Sequence, residues 1–237
     1  KAYGQYLGRR FGELHNILWL HGGDFDATDK NVVRAVVEGI ASTGAGGLRT
    51  VHSAPDTVTA EYWAGEAWLD LDTVYTYGDV YGQVLARSQG ATAKPVLMLE
   101  SLYESEHGAG AQTVRAIAYG AMIAGAAGHV FGNNPIWHFS GPGIHHSDLS
   151  WQEALSSAGA QSMTHLRRFF EEIAWWEFGP EPDGGVLSAD GEGGRLLVAA
   201  KNDRTMAIAY STGLNAVIFD SAALGGQRVE FRWFDPA

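Results

Sequence analysis

Apolar residues recur along this chain in two different rhythms, and the change from one to the other divides it. Up to about residue 173, short apolar runs alternate with stretches whose apolar positions return every three or four residues. Tyr3, Leu7 and Phe11 have that helical spacing, so residues 1–11 predict the tail of an amphipathic helix. Residues 17–20 predict a strand that runs into His21, Gly22, Gly23 and Asp24, where glycine permits a sharp turn or a close backbone approach just before the acid. Thr28 or Asp29 then caps a helix carrying Val32, Val33, Val36, Val37 and Ile40 on one face and ending near Gly44. Residues 48–52 form the next strand, with His52 and Ser53 at its exit. A short helix at 59–63 precedes a β-branched and aromatic strand at 73–77. Asp79 caps a helix that runs through Leu85 and stops by Gly90. Pro95 favours a strand start, and Val96, Leu97, Met98 and Leu99 run unbroken into Glu100, the pattern of a strand buried on both faces. A helix at 112–124, a strand at 129–131, a loop at 132–150 and a helix at 151–173 complete the series.

Five strand-then-helix units in succession predict an α/β fold with a parallel sheet and helical crossovers. Residues 177–185 hold two of the seven prolines and mark a boundary. Beyond them the period becomes alternating. Strands are expected at 195–200, 205–211, 216–219 and 228–234, joined by turn pairs such as Asp190-Gly191 and Asn202-Asp203. The expected division is therefore 1–178, an α/β unit carrying the candidate acids, and 179–237, a small antiparallel β-sandwich-like module. Trp175, Trp176 and Phe178 read as the seam between the two.

Composition narrows the partners. The chain has 237 residues, 46% apolar and 18% charged, enough for a sizeable core. A net charge of −11 argues against nucleic acid as a partner. The absence of cysteine excludes disulfides and thiolate metal sites. The most apolar run, 117–128, is too short to cross a bilayer, so a soluble protein with no membrane partner is expected. No signal-like segment stands at Lys1, and any targeting sequence is expected to have been removed or to lie outside these residues.

The candidate chemistry gathers at strand ends. Asp24 and Glu100 each follow an apolar strand, and His52, Tyr77 and Asn133 stand at comparable exits. In parallel α/β folds the binding crevice lies at the strands' C-terminal end. Two carboxylates, aromatic platforms (Tyr75, Tyr77, Trp137) and imidazole or amide donors suit glycoside hydrolysis, in which one acid protonates the leaving oxygen while a carboxylate attacks or stabilises the oxocarbenium-like centre. Blander readings stand beside these. Glu100 could be a salt-bridged rim residue, and Glu104 could pair with Arg115 or support the site from behind. His52 and Tyr77 could touch substrate or only pack the rim. Asp26 is a rival acid inside the loop, and His21 packs beside Asp24 rather than binding metal. His145-His146 lacks the i, i+4 spacing of a zinc pair and reads as loop surface, so neither metal nor cofactor is expected.

The segments NILWLHGGD, KPVLMLESLYE and VRAIAYGAMIAGAAGHVFGNNPIW, with the closing FRWFDP, resemble the apiosidase-like hydrolases, family 140 of the glycoside hydrolases. The likeness runs from about Tyr3 to Pro236. It implies a (β/α)8 TIM-barrel type fold followed by a β-sandwich module sometimes labelled collagen-binding. It also implies Asp24 as acid/base, Glu100 as nucleophile, and Tyr103 and Glu104 as the family's tyrosine-glutamate pair. The family pattern has a glycine before the glutamate and a proline after it, where this chain has Leu99 and Ser101. The implied activity is retaining cleavage of a side-chain linkage in plant or microbial polysaccharide, with apiose the sugar the family suggests. Another retaining glycosidase, such as one acting on an arabinofuranoside, and a non-catalytic carbohydrate-binding fragment are the alternatives. A secreted, periplasmic or cell-surface location in a bacterium goes with this.

A closed β/α barrel needs eight strands, and only about five C-terminal β/α units are visible. The expectation is that a second chain or a missing N-terminal segment completes the barrel; two copies would make ten strands rather than eight. The acids are expected to face each other roughly 5–6 Å apart, the retaining spacing. Burial near Trp19 is expected to raise the pKa of Asp24 while Glu100 stays ionised.

Overall fold

Every strand-helix unit expected from the apolar pattern forms in the computed structural model, which describes residues 1–90, 94–139, 145–183, 185–190, 194–213, 216–220, 222–225 and 228–237. Helix α1 (Ala2–Phe11) leads into β1 (Leu18–Gly22), α2 (Lys30–Ala41), β2 (Leu48–His52) and α3 (Thr59–Tyr62). Then come β3 (Asp72–Tyr75), α4 (Val80–Ser88), β4 (Val96–Glu100), α5 (Ala111–Ile123) and β5 (Gly128–His129). Pairing is parallel in β1–β2 and in β3–β4–β5. Between β2 and β3 the bonds ascend in step: Asp70 N to Arg49 O, Thr50 Oγ1 to Leu71 O and Thr73 Oγ1 to Val51 O. The two strands thus run the same way, and all the strand exits lie at one end. This is a mixed α/β fold with parallel sheets.

The largest apolar cluster lies between the strands and the helices that follow them, joining Val74, Val96 and Met98 to Val84, Tyr119 and Ile123. These strands read as continuous apolar runs because helices cover their outer face. Trp19 and His21 also point outward and are buried, whereas Leu18 and Leu20, on the opposite face of β1, are exposed by 38% and 42%. Leu48 at the start of β2 is exposed as well.

Several expectations change at the helices. Helix α1 buries Gly4 and Gly8 and leaves Tyr3, Tyr6 and Phe11 exposed, so its contact face is its small-residue face rather than its aromatic one. The reason is the close approach of α2: a Cβ on Gly4 would stand 2.2 Å from Val36 O. Asp29 caps α2 as expected, its carboxylate accepting from Asn31 N. Asp79 precedes α4 without a capping bond and instead faces Arg195 at 3.3 Å. The helix expected over 151–173 is two, α6 (Trp151–Ala154) and α7 (Ala158–Glu171). Ser150 and Ser157 each cap a new start there, because a serine side chain competes with the helix's own backbone bonds.

The remaining strands are antiparallel. They are β6 (Phe178–Pro180), β7 (Leu187–Asp190), β8 (Leu196–Lys201), β9 (Ala207–Ser211) and β10 (Ala216–Phe219), in sheets β6–β8–β9 and β7–β10. The short β6 and β7 arise in and just after the proline-rich stretch, where no strand was expected. Residues 228–234 form no ladder among the described residues. Asn202-Asp203 turns between β8 and β9, with Arg204 N bonded to Lys201 O, while Gly191 of the other turn pair lies outside the described residues. Trp175 and Phe178 pack on the main cluster, but Trp176 is 70% exposed and takes no part in a seam. That cluster continues past residue 178 through Leu197, Ala199, Ile208 and Tyr210.

Candidate active site

The turn after β1 is shaped by backbone rather than by side chains. Gly22 adopts φ +79°, and its missing Cβ lets the strand end approach His52 O, which such a carbon would meet at 3.1 Å. Asp24 also sits in the left-handed region, at φ 41°, a conformation aspartate tolerates better than most residues. Its carboxylate is exposed, and Trp19 faces away from it, donating its indole N–H to Gly46 O. The burial expected around Asp24 is therefore not there. Asp26 is occupied, accepting from Ala54 N at 3.1 Å and from Thr57 Oγ1 at 2.7 Å, which ties the first strand-end loop to the second.

Glu100 closes β4 and is mostly enclosed, its side chain 15% exposed. Tyr103 donates its hydroxyl to Oε1 at 3.0 Å, and His52 Nε2 stands 2.9 Å from Oε2. The imidazole is not oriented to make a hydrogen bond along that line, so this second contact is a close approach rather than a formed hydrogen bond. The Tyr75 ring packs edge-on against His52 at 5.2 Å, and its hydroxyl shares a 2.7 Å hydrogen bond with that of Tyr77. Burial pushes the Tyr75 phenol far above its usual range, helped by the bond to Tyr77 and by the negative charges of Glu100 and Asp24. Both carboxylates thus act on one phenol at the common strand end. Tyr75 is buried, whereas Tyr77 is about half exposed, so Tyr77 offers the accessible ring face.

Two of the expected contact residues lie deeper. Glu104 and Asn133 are both buried and bonded to each other at 2.9 Å. Glu104 also accepts from Ser157 Oγ at 2.6 Å and from Gly159 N at 2.7 Å, so its charge neutralises the start of α7. Arg115, the partner in the blander reading of Glu104, bonds Ser162 instead. Trp137 is 45% exposed with its indole N–H fixed by Glu106 Oε1 at 2.8 Å, and His138 packs edge-on beside it. His145 and His146 are exposed, as expected of loop surface, and His146 stands 3.6 Å from Asp148. His21 is buried against the edge of Trp68 and held at about 4 by burial, with Arg49 adding to the effect.

The structure thus brings His52, Tyr75, Tyr77 and Glu100 together, with Asp24 two residues past the end of β1 where Gly22 pairs with His52, while Glu104 and Asn133 form a clasp behind. Gly132, Ser157 and Gly159 escaped notice as site residues, and Tyr103 stood only as half of the family's tyrosine-glutamate pair. Only Tyr103 carried a visible signal, its place three residues after the strand-end acid. The described residues contain no group of three potential metal ligands, and none of their helices is long and apolar enough to cross a membrane.

Residues 1–177 match the family model described as apiosidase-like, catalytic domain. A crystal structure described as a glycoside hydrolase family 5 protein from Bacteroides vulgatus is 26% identical with a TM-score of 0.81, over 95% of this chain and 55% of that one. Another solved structure, described as a glycoside hydrolase, is 26% identical with a TM-score of 0.73, over 85% of this chain and 53% of the other. The chain spans about half the length of these two proteins. Among curated proteins, no sequence matches it.

Proposed function

The chain belongs to the apiosidase-like family, and from that premise we propose that it carries the catalytic carboxylates of a retaining glycoside hydrolase acting on a side-chain sugar of plant or microbial polysaccharide. The observation that carries the proposal is Glu100, a strand-end carboxylate approached on one oxygen by Tyr103 and on the other by His52, with Asp24 acting on the same neighbouring phenol. Glu100 attacks the anomeric carbon, the C–O bond to the leaving group breaks, and Asp24 gives that oxygen its proton. Asp24 then takes a proton from water, which displaces Glu100 and releases the sugar. The exposure of Asp24 suits an acid that must exchange its proton with solvent in each cycle. Tyr77 and Trp137 offer ring faces to the sugar, and Glu104 and Asn133 hold the wall behind.

The proposal extends to the fold. Residues 1–173 are the later strand-helix units of a β/α barrel, and the exposed Leu18, Leu20 and Leu48 belong to its inner face. Among the described residues β1 pairs only with β2 and β5 only with β4, leaving one side of each for backbone from outside these residues. A soluble whole enzyme is expected when that backbone is supplied.

The test uses aryl apiofuranosides and arabinofuranosides, with residues 1–237 prepared alone and with whatever sequence precedes Lys1 in the gene. Hydrolysis is expected from the longer product and not from the shorter. Glu100→Ala in the active form should lose roughly 1,000-fold or more in kcat, and added azide should then yield a glycosyl azide of inverted configuration. Asp24→Ala with azide should yield the retained configuration. Full activity from a monomeric 1–237 product would refute the shared-barrel proposal, and unchanged kcat in Glu100→Ala would refute the mechanism.

A further inference from the structure

The loop after β4 does more than follow Glu100. It is fastened to the loop after β5 at several points: Glu104 N donates to Gly132 O at 3.0 Å, Asn134 N to Glu104 O at 2.9 Å, and Trp137 Nε1 to Glu106 at 2.8 Å. Within that joint the Tyr103 ring lies flat on the Cα of Gly132. A Cβ there would stand 2.3 Å from Cδ1, 2.6 Å from Cε1 and 2.6 Å from Cγ, closer than any real side chain stands. Gly159 makes a matching space for Glu104, whose Oε2 would lie 2.3 Å from a Cβ at that position. Two glycines on separate elements therefore leave room for the two adjacent side chains of the tyrosine-glutamate pair.

We propose that Tyr103 is a positioning residue for Glu100, seated by Gly132 and anchored through the clasp of Glu104 with Asn133, Ser157 and Gly159, so that the loop after β5 and the start of α7 set the aim of the carboxylate on β4. A tyrosine three residues beyond the acid on a free loop would lose its order to rotation about its own side chain. The ring's seat on bare backbone and the buried ionic clasp next to it remove that freedom. The hydroxyl then gives one directed bond to Oε1, leaving the approach to Oε2 to His52 and fixing the plane of the carboxylate. The phenol remains a donor throughout, because burial, followed by the charge of Glu100, holds its pKa well above the tyrosine range. None of this needs Gly132, Glu104 or Gly159 to touch substrate.

The inference rests on the proposed role of Glu100, so the experiment has one arm that needs no catalysis. In protein labelled with 13C-tyrosine, the Tyr103 ring signal is identified by its loss in Tyr103→Phe and followed with pH. It should titrate far above the ordinary value of about 10. Glu100→Gln, which removes the charge, should bring it down toward that value, and so should Gly132→Ala, which moves the ring off its seat. In the kinetic arm, Tyr103→Phe and Gly132→Ala should each lower kcat roughly tenfold or more with KM within about twofold, and the double variant should lose no more than the worse single one. Should Gly132→Ala fail to fold by circular dichroism, Glu104→Gln, the same shape with the clasp's charge removed, takes its place with the same expected shifts. A folded Gly132→Ala or Glu104→Gln in which Tyr103 titrates as in the unaltered protein would overturn the proposal. Additive losses in the double variant would overturn it too. If the unaltered enzyme hydrolyses no glycoside while Tyr103 titrates as described, the glycosidase proposal fails and the positioning of Tyr103 stands.

Discussion

His21 sits on β1 just before the Asp24 turn, buried against Trp68 and kept neutral because a charged imidazole there would lose its hydration. Its folded pKa of about 4 lies below the unfolded value of 6.5, so between those values the unfolded chain holds a proton that the folded chain does not. Stability is therefore complete above pH 6.5, falls as the pH drops toward 4, and falls no further on this account below it. The loss amounts to something on the order of 2–3 kcal/mol. His129 on β5, lowered by burial to about 4, acts in the same direction. Urea unfolding at pH 7 and pH 4.5 should show this loss, and His21→Phe, which keeps a ring against Trp68, should make the dependence visibly shallower. An unchanged pH dependence in that variant would remove His21 from the account.

At the scale of elements, α1 and α2 meet through glycine. A Cβ on Gly39 would lie 2.3 Å from Lys1 O and 2.9 Å from Gln5 N, and both partners are backbone that cannot turn aside. In isolation, alanine favours a helix over glycine by roughly 1 kcal/mol. At Gly39 the clash outweighs that gain, so Gly39→Ala is expected to lower the melting temperature and expose residues 1–12 to protease. Gly120 in α5 makes the contrast, since a Cβ there meets Leu197 Cδ1 at 3.4 Å and Tyr81 Cβ at 3.8 Å, both ordinary contacts. Gly120→Ala should be neutral or stabilising in the same assay. The two glycines look alike in sequence, each inside an apolar helical pattern, and only the distance to the neighbouring element separates them. The same holds for α1 as a whole, where the aromatic spacing pointed to one face and the approach of α2 selected another.

For the whole molecule, one apolar cluster draws residues from both sides of position 178. Tyr119 of α5 stacks on Tyr210 of β9 at 4.8 Å and 7°, and Leu197, Ala199 and Ile208 join the cluster built on Val74, Val96 and Met98. Each large apolar side chain so buried contributes roughly 1.5–3 kcal/mol, and a whole domain is stable by only about 5–15. In the active form, removing residues 179–237 is thus expected to abolish the cooperative melt and to expose surface that binds a hydrophobic dye, under conditions where the form that keeps them melts as one unit. A cooperative melt of the shortened form at the same temperature would show that the parallel part does not depend on residues 179–237.

The order and kind of the strand-helix units, the strand exits at Asp24, His52, Tyr77 and Glu100, and the family were all legible in the sequence, although β3 ends at Tyr75. Each of these depends on residues close together in the chain: a four-residue apolar run, a capping Asp29, an acid next to a strand. Tertiary structure decided what depends on distance across the fold. It turned Asp24 toward solvent and Trp19 away, tied up Asp26 with Ala54 and Thr57, and set Glu104 at the head of α7 instead of beside Arg115. It also carried the core past residue 178. A carboxylate's spacing along the chain shows that it stands at a strand end, but its role follows from which donors reach it, and for Glu104 those donors, Asn133, Ser157 and Gly159, come from distant parts of the chain.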